Sequence, residues 1–221
     1  MNFPKATPPK PTVESSIQQQ YDALADIYDQ RWQRYLSRTL LFFKDWTNIP
    51  PAASVLDIAC GTGELERLIL QTTPTQSIVG IDISERMLSQ AQAKLKDYPN
   101  ISLRNATASK LPFPNNTFDL VVSANAFHYF PSPTAAIAEM HRVLKPGGKV
   151  VILDWCKDFL LCRICDWVLP MLDPAYRQCY TEAELRHFFS DASLRVSRSQ
   201  RIRFGIVWGL VAIEGIKQRK P

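Results

Sequence analysis

The run Val55-Leu56-Asp57-Ile58-Ala59-Cys60-Gly61-Thr62-Gly63 constrains this chain more than any other stretch. A short apolar segment ends in a carboxylate, passes into a Gly-x-Gly turn and continues into a helical pattern. A second apolar segment, residues 77 to 81, ends in Asp82, nineteen residues beyond Gly63. A strand–turn–helix–strand unit of this kind holds a nucleoside-containing ligand at the carboxyl ends of parallel strands.

The residues around the glycines narrow the ligand. Dinucleotide-binding turns read Gly-x-Gly-x-x-Gly, the third glycine letting helix and strand pack closely. Here the third position is Glu66, which breaks that pattern. A pyrophosphate on a helix N-terminus also wants N–H groups and positive potential, whereas Asp57 and Glu64 bring negative charge. A ligand carrying an ammonium and a sulfonium suits such a turn better. The pattern favours S-adenosylmethionine over NAD.

Four segments in order resemble the class I S-adenosylmethionine-dependent methyltransferases, in their small-molecule, ubiquinone/menaquinone-type branch. They are the Asp57-to-Gly63 turn, Gly80-Ile81-Asp82-Ile83-Ser84, Leu111-Pro112-Phe113-Pro114-Asn115-Asn116-Thr117-Phe118-Asp119, and Arg142-Val143-Leu144-Lys145-Pro146-Gly147-Gly148. The resemblance covers residues 20 to 155 and leaves the last third of the chain unmatched. It implies an α/β, Rossmann-like, seven-stranded and mostly parallel sheet with helices on both faces and an antiparallel last strand.

Periodicity places the elements independently. Residues 16 to 45 are helical in pattern, with Tyr21, Leu24, Ile27 and Tyr28 followed by Trp32, Tyr35, Leu36, Leu40 and Phe43. Strands are expected at residues 54 to 58, 77 to 82, 101 to 104, 118 to 124 and 149 to 154, with helices between them at 63 to 72, 84 to 96 and 133 to 144. Strands alternating with helices make a parallel sheet with right-handed crossovers. Thr181-Glu182-Ala183-Glu184 opens a further helix as a capping box. Two strands, residues 194 to 204 and 206 to 216, close the chain as a hairpin around Gly205, with Arg198 breaking the alternation of the first.

At 221 residues the chain suits one α/β domain. Residues 1 to 14, rich in proline, are expected to form a disordered tail, and residues 15 to 221 a single domain. Within it, residues 15 to 50 form an N-terminal helical cap and residues 156 to 180 an apolar insertion over the active site. No apolar run approaches the ~20 residues that span a bilayer, and the N-terminus lacks the apolar core of a secretion signal. A cytoplasmic protein is expected. Its five cysteines are then free thiols; Cys162-Arg163-Ile164-Cys165 has metal-ligand spacing but no partners to complete a site, so no metal is expected.

Net charge is +5, and residues 195 to 221 carry seven basic residues against Glu214 alone. Such a segment is compatible with nucleic acid or anionic lipid; a solvated strand face with a frayed tail is the preferred account. The segment after the fourth strand, Ser123-Ala124-Asn125-Ala126, departs from the Asn/Asp-Pro-Pro-aromatic pattern of nucleic-acid amino-methyltransferases. No nucleic-acid substrate is expected; peripheral membrane contact and oligomeric state stay open.

The expected site follows. Gly61 allows the turn and Gly63 lets the ligand lie against the backbone, with Ala59 between strand and turn. Asp57 attracts the ligand's amino group and Asp82 accepts from ribose hydroxyls. Ile83 and Met87 sandwich the adenine. The matching family usually carries an acid where this chain has Thr107, leaving Thr107 and the Ala108 N–H to meet the adenine edge. Tyr21 and Tyr28, seven apart on one helix face, lid the sulfonium end, where a ring face stabilises a cation. Plain core packing explains each tyrosine as well. Asn125 follows strand four toward the reaction zone. His128 is the first candidate base, since histidine ordinarily titrates near neutrality, with Asp154 second. His141 and His187 are expected to pack.

These residues imply an S-adenosylmethionine-dependent methyltransferase acting on a small, apolar, aromatic or lipid-like acceptor. The alternative is a non-catalytic protein that keeps the fold to bind or regulate a partner, associated with a membrane surface.

Overall fold

Five βα-type segments alternate through the first two thirds of the chain, and their strands align in parallel. In the computed structural model, which describes residues 12–173, 175–205 and 207–219, the strands are β1 (Ser54–Ile58), β2 (Ser77–Asp82), β3 (Ile101–Asn105), β4 (Phe118–Ala124), β5 (Leu144–Trp155), β6 (Leu194–Phe204) and β7 (Trp208–Lys217). They form one sheet in the order β3-β2-β1-β4-β5-β7-β6. Strands β1 to β5 pair in parallel, while β7 runs antiparallel between β5 and β6. The expected architecture is the observed one. The order reverses at β1/β4, and ligands of such sheets bind beyond the carboxyl ends of the strands at that reversal.

The strands alternate between two apolar layers. Val150, Ile152, Val211 and Ile213 face α5 (Pro133–Val143) and α7 (Glu182–Asp191). Val151, Leu153, Leu210 and Ala212 face α2 (Tyr28–Thr47), α3 (Glu64–Thr72) and α4 (Glu85–Leu95). A sheet covered on both faces needs apolar residues at every central position, which is why β4 and β5 read as continuous hydrophobic runs.

Two family-like segments serve the scaffold. The Arg142 guanidinium donates to the Phe113 and Leu111 carbonyls at 2.7 and 2.9 Å, and Glu139 accepts from the Leu111 N–H at 2.8 Å. α5 thus holds the 111 to 115 turn. Pro146-Gly147-Gly148 does not precede β5 but sits inside it as a bulge: Phe118 pairs with Leu144 and Leu120 with Lys149. Lys217 donates to the carbonyls of His141 and Leu144 and so satisfies the C-terminal end of α5.

Other boundaries differ for local reasons. The helical region at 16 to 45 is two helices, α1 (Val13–Leu24) and α2, broken at 25 to 27. Thr12 caps α1 through the Ser15 N–H, so helix begins before position 15; the expected tail through Pro11 lies outside the described residues. The capping box at Thr181 and Glu184 is present. β6 shifts register between Val196 and Arg198, where the alternation breaks. The connection at 156 to 180 contains α6 (Leu160–Leu172). All five cysteines are free thiols.

Gly63 shows how tightly the first turn is built. Its φ is +76°, and an added Cβ would lie 2.8 Å from Leu95 Cδ1 and 3.0 Å from Ala91 Cβ on α4. Gly63→Ala therefore combines backbone strain with overpacking and is expected to cost about 3 kcal/mol, lowering Tm by roughly 6 to 12 °C in a thermal melt.

Candidate active site

A cleft opens at the carboxyl ends of β1, β2 and β4. Ala59, Gly61, Asp82, Ile83, Met87, Thr107, Ala108 and Asn125 line it, as do Tyr21 and Tyr28 from the helical cap. Gly61 (φ +55°) has no atom within 4 Å of an added Cβ, so its face is open to a ligand. Gly61 lines the cleft, whereas Gly63, from which the open backbone face was expected, packs on α4.

Asp82 anchors the cleft. One carboxylate oxygen accepts from the Gly61 N–H and the other from the Ser84 N–H, both at 2.9 Å. Ser84 itself caps α4 through the Met87 N–H at 3.1 Å, leaving Asp82 unneeded as a cap. Burial pushes the Asp82 carboxyl up to about 6, against backbone donors that favour its charge. A carboxylate offers about four lone-pair sites, so both oxygens keep acceptor capacity toward the cleft.

The other acids of the turn are placed differently from the expectation. Asp57 lies beneath the turn, 3% exposed, and faces Glu66, which is 0% exposed. It does not line the cleft, because the strand's alternation points it into the helix layer. No hydrogen-bond donor satisfies Asp57 Oδ1 or either Glu66 oxygen. Two buried carboxyls satisfy each other only by sharing a proton. Burial raises both, Asp57 well above its usual range and Glu66 to about 7. Glu64 is turned away as well, bonded to Arg67 at 2.5 and 3.0 Å and to Lys94 at 3.2 Å. Burial opposes its ionisation, yet those cations hold its carboxyl below the usual range.

Charge in the cleft comes instead from Asp82 and from Glu14 of α1, and no Lys, Arg or His is among its described lining residues. Glu14 accepts from Ser109 Oγ at 3.2 Å, and Ser109 Oγ lies 3.0 Å from Thr107 Oγ1. A carboxylate from the cap thus stands beside the position where the resembled family carries an acid. Nothing in a linear pattern joins residues 14 and 107, so Glu14 and Ser109 went unnoticed.

Tyr21 and Tyr28 sit on separate helices rather than one face, because the chain breaks at 25 to 27. Their rings still meet at 6.1 Å, and Tyr129 meets Tyr21 edge-on at 5.4 Å. Burial above all keeps these three phenols protonated, raising each well above its ordinary range. Tyr129 Oη donates to Asp173 Oδ2 at 2.9 Å.

His128 and Asp154 are brought together but lie outside the cleft lining. Asp154 takes the His128 backbone N–H at 2.7 Å and contacts its Nδ1 at 2.6 Å. The imidazole stacks on Trp155, centroids 4.4 Å apart and planes 10° apart, with Tyr129 at 4.3 Å on the cleft side. Its Nε2 is buried without a partner. Trp155 Nε1 donates to Tyr35 Oη, which donates to Asn125 Oδ1, each at 2.7 Å. This chain of contacts joins the aromatic cluster to the cleft wall. His187 is exposed beside Asp191 rather than packed, and His141 is partly buried on α5. Cys162 donates to the Gly209 carbonyl at 3.2 Å, and no metal-binding group of His, Cys, Asp or Glu forms among the described residues.

The donor set fits S-adenosylmethionine: an open glycine face, a carboxylate at the end of β2, an apolar pair at Ile83 and Met87, and tyrosine rings without a competing cation. The shared proton of Asp57 and Glu66 makes a further expectation. Because the folded pair binds a proton that the unfolded chain releases near pH 4.5, its contribution falls as pH rises from there to about 7. Glu66→Gln supplies an N–H without that proton. It is expected to leave Tm nearly unchanged at pH 5 and to raise it at pH 8 by about 4 to 8 °C, from about 2 kcal/mol.

Comparison with known proteins agrees with this geometry. Residues 55–148 match a family model described as a methyltransferase domain. A demethylmenaquinone methyltransferase from Symbiobacterium thermophilum is 34% identical over 71% of this chain and 66% of its own length. A ubiquinone/menaquinone biosynthesis C-methyltransferase from Burkholderia vietnamiensis is 37% identical over 66% and 59%. The chain spans about three fifths of the length of the curated relatives it matches. A solved S-adenosylmethionine-dependent methyltransferase from Thermotoga maritima superposes with a TM-score of 0.72 at 19% identity, over 91% of this chain and all of that one, and so shares the fold. With motif order, sheet topology and cleft in agreement, the chain belongs to the class I S-adenosylmethionine-dependent methyltransferases.

Proposed function

We propose that this protein transfers the methyl group of S-adenosylmethionine to a flat, apolar, quinone-type ring. The observation that carries the reading is the aromatic cluster beside the cleft. His128, Tyr129, Trp155, Tyr176 and Trp208 converge at the ends of β4, β5 and β7, with neighbouring ring centroids 4.3 to 6.4 Å apart. Planar apolar molecules are held by such stacking. The names of the relatives, which describe demethylmenaquinone and ubiquinone/menaquinone methylation, support the same acceptor class. The five free cysteines suit a cytoplasmic setting.

Bound S-adenosylmethionine supplies a methyl carbon already activated by its sulfonium. The chain's own part is to position the acceptor and accept a proton. Asp82 and the Gly61 face hold the nucleoside, with Glu14, Thr107 and Ala108 at the base. Tyr21, Tyr28 and Tyr129 screen the site from water and offer ring faces to positive charge. Asp154 and Trp155 fix the His128 ring in one orientation, so that Nε2 presents its lone pair within the buried cluster. An unpartnered ring nitrogen there calls for a donor, and an aromatic hydroxyl provides one. A binding-only protein has no use for an imidazole pinned in this way.

Transfer of labelled methyl from S-adenosylmethionine to a demethylmenaquinone-type acceptor tests the reading; retention of donor with no transfer to any apolar ring would overturn it. His128→Asn is expected to lower kcat by roughly 10²- to 10⁴-fold while donor affinity, measured by titration calorimetry, stays unchanged. Gly61→Ala is expected to weaken the donor about tenfold or more, at a Tm cost well below that of Gly63→Ala, since its Cβ meets only the cleft. Glu14→Ala is expected to weaken donor binding roughly five- to tenfold, and Thr107→Asp to restore it in that background.

A further inference from the structure

Helix α6 presents its apolar face outward. Leu160, Ile164, Trp167 and Met171 follow a helical repeat of three and four residues, and they are 70%, 50%, 75% and 69% exposed. Leu172 beside them is 74% exposed, and Cys162 is the only buried residue among the thirteen of the helix. Arg163 is exposed within the same stripe. The helix's one acid, Asp166, turns inward to accept from Tyr176 Oη and the Cys179 N–H, both at 2.6 Å. A large exposed apolar stripe free of carboxylates marks an interaction surface rather than a solvated one.

The elements flanking α6 carry further exposed apolar groups and cations on both faces of the sheet. Phe159, just before α6, packs on Gly209 of β7 and carries the Arg203 guanidinium over its ring at 5.3 Å. At the β6–β7 turn Val207 is 44% exposed, and Trp208 meets Trp32 and Tyr35 of α2 at 6.2 and 5.0 Å. On α2 the exposed Arg31, Arg34 and Arg38 share one face, and with Phe204, Val207 and Trp208 they line a groove that contains no carboxylate among its described residues. Among those residues none of the three arginines has an acid within ion-pair distance. By contrast Arg198 and Arg201 of β6 are paired with Glu214 and Glu182.

We propose that this surface seats the protein on an anionic lipid bilayer. The apolar stripe of α6 enters the boundary between headgroups and acyl chains, and the arginines of α2 meet lipid phosphates. Trp, Leu, Ile and Met beside unpaired cations is the composition of an interfacial helix and its rim. Charge complementarity selects this occupant over a second copy. A two-fold contact through the stripe would bring Arg163 and its neighbouring cations toward their own duplicates on a chain of net charge +5. No described helix is long and apolar enough to cross a membrane, so the contact is peripheral. α6 ends at Asp173, which holds Tyr129 of the cleft wall. The seated face therefore adjoins the aromatic cluster where an apolar acceptor would enter; that use rests on the proposed function, whereas the binding itself does not.

Flotation of the full chain with vesicles, in the absence of any acceptor, tests the surface directly. Three proteins are compared on phosphatidylcholine alone and on phosphatidylcholine mixed with phosphatidylglycerol: wild type, I164E/W167E/M171E, and R31Q/R34Q/R38Q. Wild type is expected to float with the mixed vesicles and to be released by salt in part. The stripe variant is expected to lose about tenfold or more of its partitioning. The arginine variant is expected to lose the preference for phosphatidylglycerol. Melting temperature and donor titration unchanged in both variants show that the fold and the donor site are intact, so a failure of the methyl-transfer reading is read separately. The proposal is overturned by wild type that floats with neither vesicle or by variants that partition like wild type. It is overturned equally by a stripe-dependent dimer in light scattering without vesicle binding, or by salt-sensitive retention on nucleic acid alone.

Discussion

The cleft depends on one carboxylate. Asp82 takes the N–H of Gly61 from the turn after β1 and the N–H of Ser84 from the turn after β2. A single side chain therefore sets the distance between the two turns that border the ligand. Burying it is costly, as its upward shift to about 6 shows, and the two backbone donors offset that cost. They also fix the direction of the remaining lone pairs. The glycine-rich turn and the strand-two acid are in this sense one structural unit split by nineteen residues of helix and connection.

Around that unit, four more acids are handled by different means. Glu64 is neutralised by Arg67 and Lys94 at the flank. Asp57 and Glu66 face each other beneath the turn, where burial raises both carboxyls. Among the described acids, only Asp82 and Glu14 line the cleft. The negative potential toward the ligand is thus narrower than the count of acids in the turn suggests, and it lies opposite tyrosine rings whose phenols stay neutral. Behind those rings the His128–Asp154 pair is buried in the aromatic cluster, joined to the cleft through Asn125, Tyr35 and Trp155.

Much of this was legible from residue order. The bounds of β1, β2 and β4 follow from apolar runs flanked by turn residues, and the Thr181 capping box announces α7. Asp82, Ile83 and Asn125 could be placed at strand ends, and Met87 in the first turn of α4, because motifs fix their positions relative to the strands. Glu14 and Ser109 are not legible in residue order, since their membership in the cleft is made by a cap helix and a loop that carry no periodic signal. The break at 25 to 27 was also hidden, because both flanking helices keep an apolar period.

The family resemblance implied the reversed last strand; residue order by itself determined the alternation of strands and helices, the parallel pairing that follows from it, and a glycine turn suited to a nucleoside. Those are local properties: periodicity, capping chemistry and turn residues act over a few positions. Tertiary structure alone decided that Gly61 rather than Gly63 lines the cleft, that Asp57 faces Glu66 instead of the cleft, and that α6 turns its apolar side to the exterior. A side chain's direction at a turn, and the face a helix buries, depend on atoms brought near from distant parts of the chain, and no short stretch of sequence contains them.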